Sequence, residues 1–232
     1  MPYLILKARD TIAENTTQFT FETPPDFSFK AGQAVDLTLE NMSYTDDAGA
    51  TRTFSISSSP NHKGEITIAT RNSSSAWKRT MFEAPMGQKI SYTNPTGQFN
   101  LPRKPEEHLI FVAGGIGITP FMSLVRYATE EKRFDKITLI YSNKSEATAV
   151  YLAELRALAA ENPNLTLIEN YGSLTSEIIT KAAQADPLPK LYYIAGPIGM
   201  VGMAHKTVQE TGVDDNDILI EEFAGYDPSV LH

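Results

Sequence analysis

Val112-Ala113-Gly114-Gly115-Ile116-Gly117-Ile118-Thr119-Pro120 is the stretch on which the fold of this chain turns. A short apolar run, His108 to Ala113, leads into it, and a segment with helical spacing follows as far as Lys132. A strand that ends in glycines and gives way to a helix is where open α/β sheets bind ligands. Glycines let backbone amides approach an anion. Thr119 stands as the helix N-cap, with Pro120 in the first helical position. Free amides at the positive end of the helix then suit a pyrophosphate. The spacing departs from the three-glycine dinucleotide fingerprint, because position 120 is Pro. The plain alternative is a tight strand-to-helix turn with no ligand.

Downstream the alternation repeats. Ile137 to Tyr141 is apolar and precedes a helix over 148–160; Leu165 to Ile168 precedes one near 176–184. Leu191 to Ala195 precedes one near 200–210, and Ile218 to Ile220 closes the series. Apolar runs separated by helical crossovers predict a parallel sheet covered on both faces. After the fourth of these strands comes Ala195-Gly196-Pro197-Ile198-Gly199-Met200, whose Gly196 and Pro197 would form a second wall of the same crevice.

Upstream the period is two. Strands are expected over 3–12, 17–23, 33–40, 52–58, 65–71 and 88–93, separated by turns such as Pro24-Pro25 and Asn61-His62-Lys63-Gly64. Six short strands at this spacing predict a small antiparallel β-barrel. Within it, 74–84 has helical spacing, with Trp77, Met81 and Phe82 on one side. The change of period at the Pro102–Pro105 linker divides the chain into a barrel domain, 1–102, and an α/β domain, 106–232. The polar loop 41–50 carries no signal that assigns it a role.

Two places in the barrel half suit a flat, charged ligand. Arg52-Thr53-Phe54-Ser55 lies on a strand, with Arg52 and Phe54 on one face and Thr53 and Ser55 on the other. A guanidinium suits phosphate, a ring suits a heterocycle and a hydroxyl suits a polar ring edge. Thr70-Arg71 ends a later strand, and Ser73-Ser74-Ser75 begins the short helix containing Trp77, a second helix start suited to an anion. One such start in each domain points to two nucleotides meeting at the interface.

Composition narrows the classes. The net charge is −8, with 28 acidic and 20 basic residues, which disfavours nucleic acid. The chain has no cysteine, so it holds no disulfide, thiolate zinc site or cysteine-ligated cluster. Its four histidines lack ligand spacing, so no metal is expected. No stretch approaches the ~20 apolar residues of a membrane span, and no signal segment is evident, so the protein reads as cytoplasmic.

Taken together, these motifs resemble the ferredoxin–NADP⁺ reductase superfamily, in particular its small stand-alone FAD-binding reductases. The resemblance runs from the first barrel strands to Tyr226. It implies that Arg52 meets the FAD pyrophosphate, Phe54 stacks on the isoalloxazine and Ser55 hydrogen-bonds near flavin N5. Thr53, Thr70, Arg71, Ser74, Ser75 and Trp77 complete the flavin segments. Asn94-Pro95-Thr96-Gly97-Gln98-Phe99 matches the family's Gly-Pro turn, with Asn for the first Gly. Gly115, Gly117, Thr119, Pro120, Gly196 and Pro197 fall on the nicotinamide-nucleotide loops. Glu221, Phe223, Gly225 and Tyr226 match the closing segment beside the flavin, with Glu221 and Phe223, together with Ser55, as catalytic residues. One departure is Ala195, where the family usually has Cys near the nicotinamide carbon.

The function so implied is transfer of hydride from NADH or NADPH to FAD, then of electrons to an external acceptor such as a ferredoxin, flavodoxin or other redox protein. Glu169, after the third α/β strand and with no basic residue before Lys181, leans the choice toward NADH; Lys144 is the candidate partner for a 2′-phosphate. FMN is the alternative to FAD. Rival readings are a flavin reductase that releases reduced flavin, a non-catalytic nucleotide sensor, and an electron-transfer component of a larger complex.

Overall fold

The computed structural model describes residues 2–184 and 187–223. The first half forms β1 (Tyr3–Ala13), β2 (Thr16–Glu22), β3 (Ala34–Thr38), β4 (Thr51–Ser55), β5 (Glu65–Arg71), helix α1 (Ala76–Glu83) and β6 (Lys89–Tyr92). These strands make one antiparallel sheet in the order β4-β3-β6-β1-β2-β5. Alternation along the strands sends Leu4, Leu6, Phe19, Phe21, Val35, Leu37, Ile66 and Ile68 inward. Trp77 and Met81 of α1 join the same core, so the helix stoppers the curled sheet. The two outer strands approach just beyond β4, where the Ser57 amide donates to the Thr67 carbonyl at 2.8 Å.

The second half forms β7 (His108–Gly114), α2 (Ile118–Glu130), β8 (Lys136–Asn143), α3 (Leu152–Glu161), β9 (Leu165–Tyr171), α4 (Ser176–Ala183), β10 (Lys190–Gly196), α5 (Ile198–Gln209) and β11 (Ile218–Glu222). Its sheet is parallel, in the order β11-β10-β7-β8-β9. Every residue of β7 is buried, which is why its sequence is an unbroken apolar run. Leu109, Phe111 and Ala113 pack toward one layer of helices, Ile110 and Val112 toward the other. The chain winds outward from β7 through β9, then returns to β10 on β7's other side. The winding therefore reverses between β7 and β10, and the crevice at their carboxyl ends is the ligand position of such sheets.

The expected strand over 52–58 ends early, at Ser55. Residues 57–59 leave the ladder and hydrogen-bond across the domain seam instead. The Ser57 carbonyl accepts from Arg126 Nη1 at 2.6 Å, and the Ser58 carbonyl accepts from Ser123 Oγ at 2.7 Å. Ser59 Oγ donates to Glu130. Tyr151, just before α3, adopts left-handed backbone with φ of 60°, an uncommon state for an aromatic residue. Its hydroxyl donates to Gln18 Oε1 at 2.8 Å and lies 3.1 Å from Ser57 Oγ. Burial pushes its phenol up to about 12, so it stays a neutral donor. Apolar packing adds to the seam: the Phe99 ring sits 5.6 Å from Phe121 and 5.3 Å from Tyr193.

Tyr151→Phe is expected to lower stability in urea unfolding by about 1–2 kcal/mol, the range for one buried hydrogen bond left unmade. Ser57→Ala should cost about the same, and the double variant less than the sum, because one contact is shared. Full additivity would show that the two hydroxyls do not act together.

Candidate active site

Arg52 lies near the outer end of β4. Its guanidinium donates to Asp46 Oδ1 at 2.9 Å and to the carbonyls of Ala48, Gly49 and Thr51 at 2.8 Å each. Ser75 caps α1, its hydroxyl accepting from the Lys78 amide at 3.4 Å. The first amide of α1, on Ala76, donates to Asp46 Oδ2 at 2.8 Å. One carboxylate thus bridges an arginine and a helix start, and these contacts hold its pKa below the usual carboxylate range. An anion already rests on these donors, so their chemistry fits a phosphate of FAD. Ser74 is exposed beside the cap, and Thr70 is buried with its hydroxyl on the Arg71 carbonyl at 3.4 Å. Thr53 is exposed, its hydroxyl on Asp36 Oδ1 at 2.5 Å.

One expectation about this half needs correction. Trp77 has no exposed surface; its indole donates to the Leu37 carbonyl at 3.2 Å. It therefore offers no face to a cofactor and acts by anchoring α1. Phe54 is 8% exposed and packs against Trp77, centroids 4.8 Å apart, so the indole meets the ring that the resemblance assigns to the flavin.

In the crevice, the turn after β7 and the turn after β10 pack directly on each other. A Cβ at Gly117 would come 2.3 Å from the Ala195 carbonyl oxygen, and one at Gly196 would come 3.1 Å from Gly114 Cα. Glycine at 117 is demanded by this backbone contact, not by room for a phosphate. Gly115, with φ of +53°, meets only Arg71. Thr119 is not the N-cap. A 3₁₀ turn over Gly115–Gly117 runs straight into α2, Gly117 holds the cap position, and Thr119 Oγ1 donates back to the Ile116 carbonyl at 3.1 Å. Pro120 is consequently the third helical residue. Pro197 caps α5, and Ile198 stands 54% exposed beside it.

At the crevice the two halves meet again. Arg71 ends β5, and its guanidinium crosses the seam to donate to the Thr148 carbonyl at 2.7 Å. The same guanidinium lies 3.6 Å from where a Gly115 Cβ would be, so the barrel's arginine faces the nucleotide loop. Ser55, 6% exposed at the end of β4, stands on the barrel side near Glu221 of β11. Glu221 pairs with Ala195 across the β10–β11 ladder, and the Phe223 amide donates to the Gly196 carbonyl at 2.9 Å. Burial pushes the Glu221 carboxyl up to about 7, against the opposing pull of the nearby Ser55 hydroxyl. Gly225 and Tyr226 lie outside the described residues.

Sequence reasoning missed Asp46 and Arg156. Glu169 lies inside β9, not beyond it. Although no base follows it in sequence, α3 brings Arg156 against it: Nε and Nη2 donate to its two oxygens at 2.7 and 2.8 Å. Nη1 donates to Glu146 at 2.7 Å, and Arg156 with the Tyr171 hydroxyl holds the Glu169 carboxyl down at about 2.

A barrel whose arginine and helix start already hold a carboxylate thus faces the glycine turns of a wound sheet across one seam. Comparison with known proteins identifies both halves. An oxidoreductase FAD-binding domain matches residues 3–101 and an oxidoreductase NAD-binding domain matches 111–206. The chain belongs to the oxidoreductases built from these two domains, and it has the fold of the ferredoxin–NADP⁺ reductases. It is 28% identical over 178 residues to the ferredoxin reductase component of 3-ketosteroid-9-alpha-monooxygenase from Mycolicibacterium smegmatis, covering 74% of this chain and 50% of that protein. It is 26% identical over 206 residues to an NADPH oxidoreductase of Mycobacterium tuberculosis, covering 85% and 53%. It thus spans about half the length of such relatives. Ferredoxin-NADP+ reductase from Plasmodium falciparum shares the fold, with a TM-score of 0.80, 17% identity and 95% coverage of both chains. Phthalate dioxygenase reductase does so with a TM-score of 0.78, 19% identity and coverage of 97% and 68%.

The raised pKa of Glu221 sets the sign of a pH effect. The folded state favours the protonated carboxyl, so its contribution to stability is full below the ordinary value of 4.5 and is lost as pH rises through about 7. Glu221→Gln should flatten the fall in melting temperature across that window. An unchanged slope would place the carboxyl in water.

Proposed function

We propose that this chain takes hydride from a nicotinamide nucleotide, NADH in preference to NADPH, onto FAD and passes the electrons to an external redox protein. The observation that carries the reading is that two barrel strand ends reach the sheet's glycine turns: Arg71 at the end of β5 faces Gly115, and Ser55 at the end of β4 lies near Glu221, the ladder partner of Ala195. Bound there, FAD supplies a centre that accepts two electrons and releases them one at a time.

The chain's own residues position and screen. Arg52, Ser75 and the α1 amides suit the flavin diphosphate, and Gly115, Gly196 and Pro197 line the place for the nicotinamide nucleotide. Ser55 and Glu221 stand as a hydroxyl and a carboxyl on opposite sides of the seam, and burial gives the Glu221 carboxyl a pKa of about 7. Ala195 leaves room for a ring but brings no thiol, so this carboxyl is the titratable group held there. Positioning of two rings, rather than a strong acid or base, is the main contribution asked of the protein.

The preference for NADH rests on charge. Arg156 is held between Glu146 and Glu169, leaving the cluster at the end of β9 net negative and unwelcoming to a 2′-phosphate. The names of relatives support the acceptor class, since they include a ferredoxin reductase component and a glycine betaine monooxygenase reductase subunit. No helix among the described residues is long and apolar enough to cross a membrane.

Anaerobic titration of the FAD-loaded protein with NADH and NADPH in parallel should bleach the flavin, faster with NADH. Persistent yellow with both donors would overturn the assignment. Replacing both Glu146 and Glu169 by Gln frees the Arg156 guanidinium and should move the preference toward NADPH by about tenfold. Preference unchanged by that double substitution would remove Arg156 from the nucleotide site.

A further inference from the structure

We infer that Asp46 is a resident competitor for the cofactor's diphosphate, and that it sets how readily the flavin leaves; this rests on reading Arg52 and the α1 start as the flavin's anion cradle. The loop between β3 and β4, from Leu39 to Ala50, is longer than a hairpin of this kind needs. It closes at its base through the Leu39 amide on the Ala50 carbonyl at 3.0 Å. Its far side is pinned to α1: the Tyr44 hydroxyl donates to Glu83 at 2.7 Å, and the Arg79 guanidinium sits 3.6 Å over the Tyr44 ring. Between these anchors the loop delivers one carboxylate to the cradle.

That carboxylate takes the donors a diphosphate would need. Oδ1 accepts from Arg52 at 2.9 Å and from the Ala48 amide at 3.1 Å, and Oδ2 accepts from the Ala76 amide at 2.8 Å. The other hydrogen bonds of Arg52 go to carbonyls of the same loop and its hinge with β4. The side chains of Arg52 and Asp46 are 20% and 32% exposed, so the clamp sits at the surface and can open without disturbing the core. A diphosphate and the Asp46 carboxylate cannot share these donors. Cofactor binding therefore requires the loop to lift away, and the apparent affinity is reduced by the fraction of molecules in which it is closed. Such a site makes the bound FAD more readily exchanged than one whose donors stand free.

The test is affinity and release of FAD, read by flavin fluorescence, in the wild-type chain, Asp46→Asn and Asp46→Ala, with Asp47→Asn as control. Both Asp46 variants should bind FAD about tenfold more tightly and release it correspondingly more slowly, with the control unchanged. Inorganic pyrophosphate should raise the melting temperature of apo Asp46→Asn more than that of the apo wild type. Equal or weaker FAD binding by both variants overturns the inference, because Asp46 would then be orienting Arg52 for the cofactor. If no form binds FAD yet pyrophosphate still separates variant from wild type, the flavin reading falls and the competitor stands.

Discussion

A carbonyl oxygen with no room beside it fixes this site. The Ala195 oxygen approaches the Gly117 backbone so closely that a single methyl at 117 would sit 2.3 Å away. That contact locks the turn after β7 onto the end of β10, where the winding of the sheet reverses. Once those turns are fused, the start of α2, the start of α5 and the β11 partner of Ala195 hold set positions relative to one another. Glu221 is carried into the seam by its ladder pairing with Ala195, and Phe223 by its amide on Gly196. The carboxyl's placement is thus a consequence of a backbone contact two strands away, not of its own packing.

The barrel is held to this frame by apolar packing around Phe99 and by a set of directed polar bonds. Domains joined by polar interfaces move relative to each other by default. Here the three serines 57–59 commit backbone and side-chain groups to α2 and to Tyr151, immediately after the strand that presents Ser55. Hydrogen bonds specify distance more sharply than apolar area does, and a site that must place two rings face to face depends on distance. The left-handed backbone of Tyr151 belongs to the same design: its strain is tolerable because the hydroxyl and the Arg126 guanidinium, 5.0 Å over its ring, both fix it.

Much of this was legible in the chain itself. Period two and apolar runs located the eleven strands among the described residues to within a few positions, because burial on one face or on both leaves different patterns. The site residues on strand ends and glycine turns could be named for the same reason: local chemistry marks them. What could not be read were partners supplied from a distance. Glu169 reads as free because its neighbours in sequence are not basic, yet Arg156 reaches it from a helix thirteen residues earlier. Thr119 and Pro120 matched helix-start chemistry, but the preceding turn began the helix sooner. Asp46 sits in a polar loop with no periodicity at all, and only the folded contacts distinguish it from Asp47.

The absence of a thiol at position 195 and the perturbed carboxyl at 221 bear on one another. Ala195 is fully buried, and its carbonyl is committed to the Gly117 contact, so the position contributes shape and no ionisable group. The carboxyl beside it in the ladder is kept half-protonated near neutrality by burial, while Ser55 supplies a hydroxyl that can donate to the charged form. That balance depends on the barrel and the sheet staying in register, since Ser55 and Glu221 come from opposite sides of the seam.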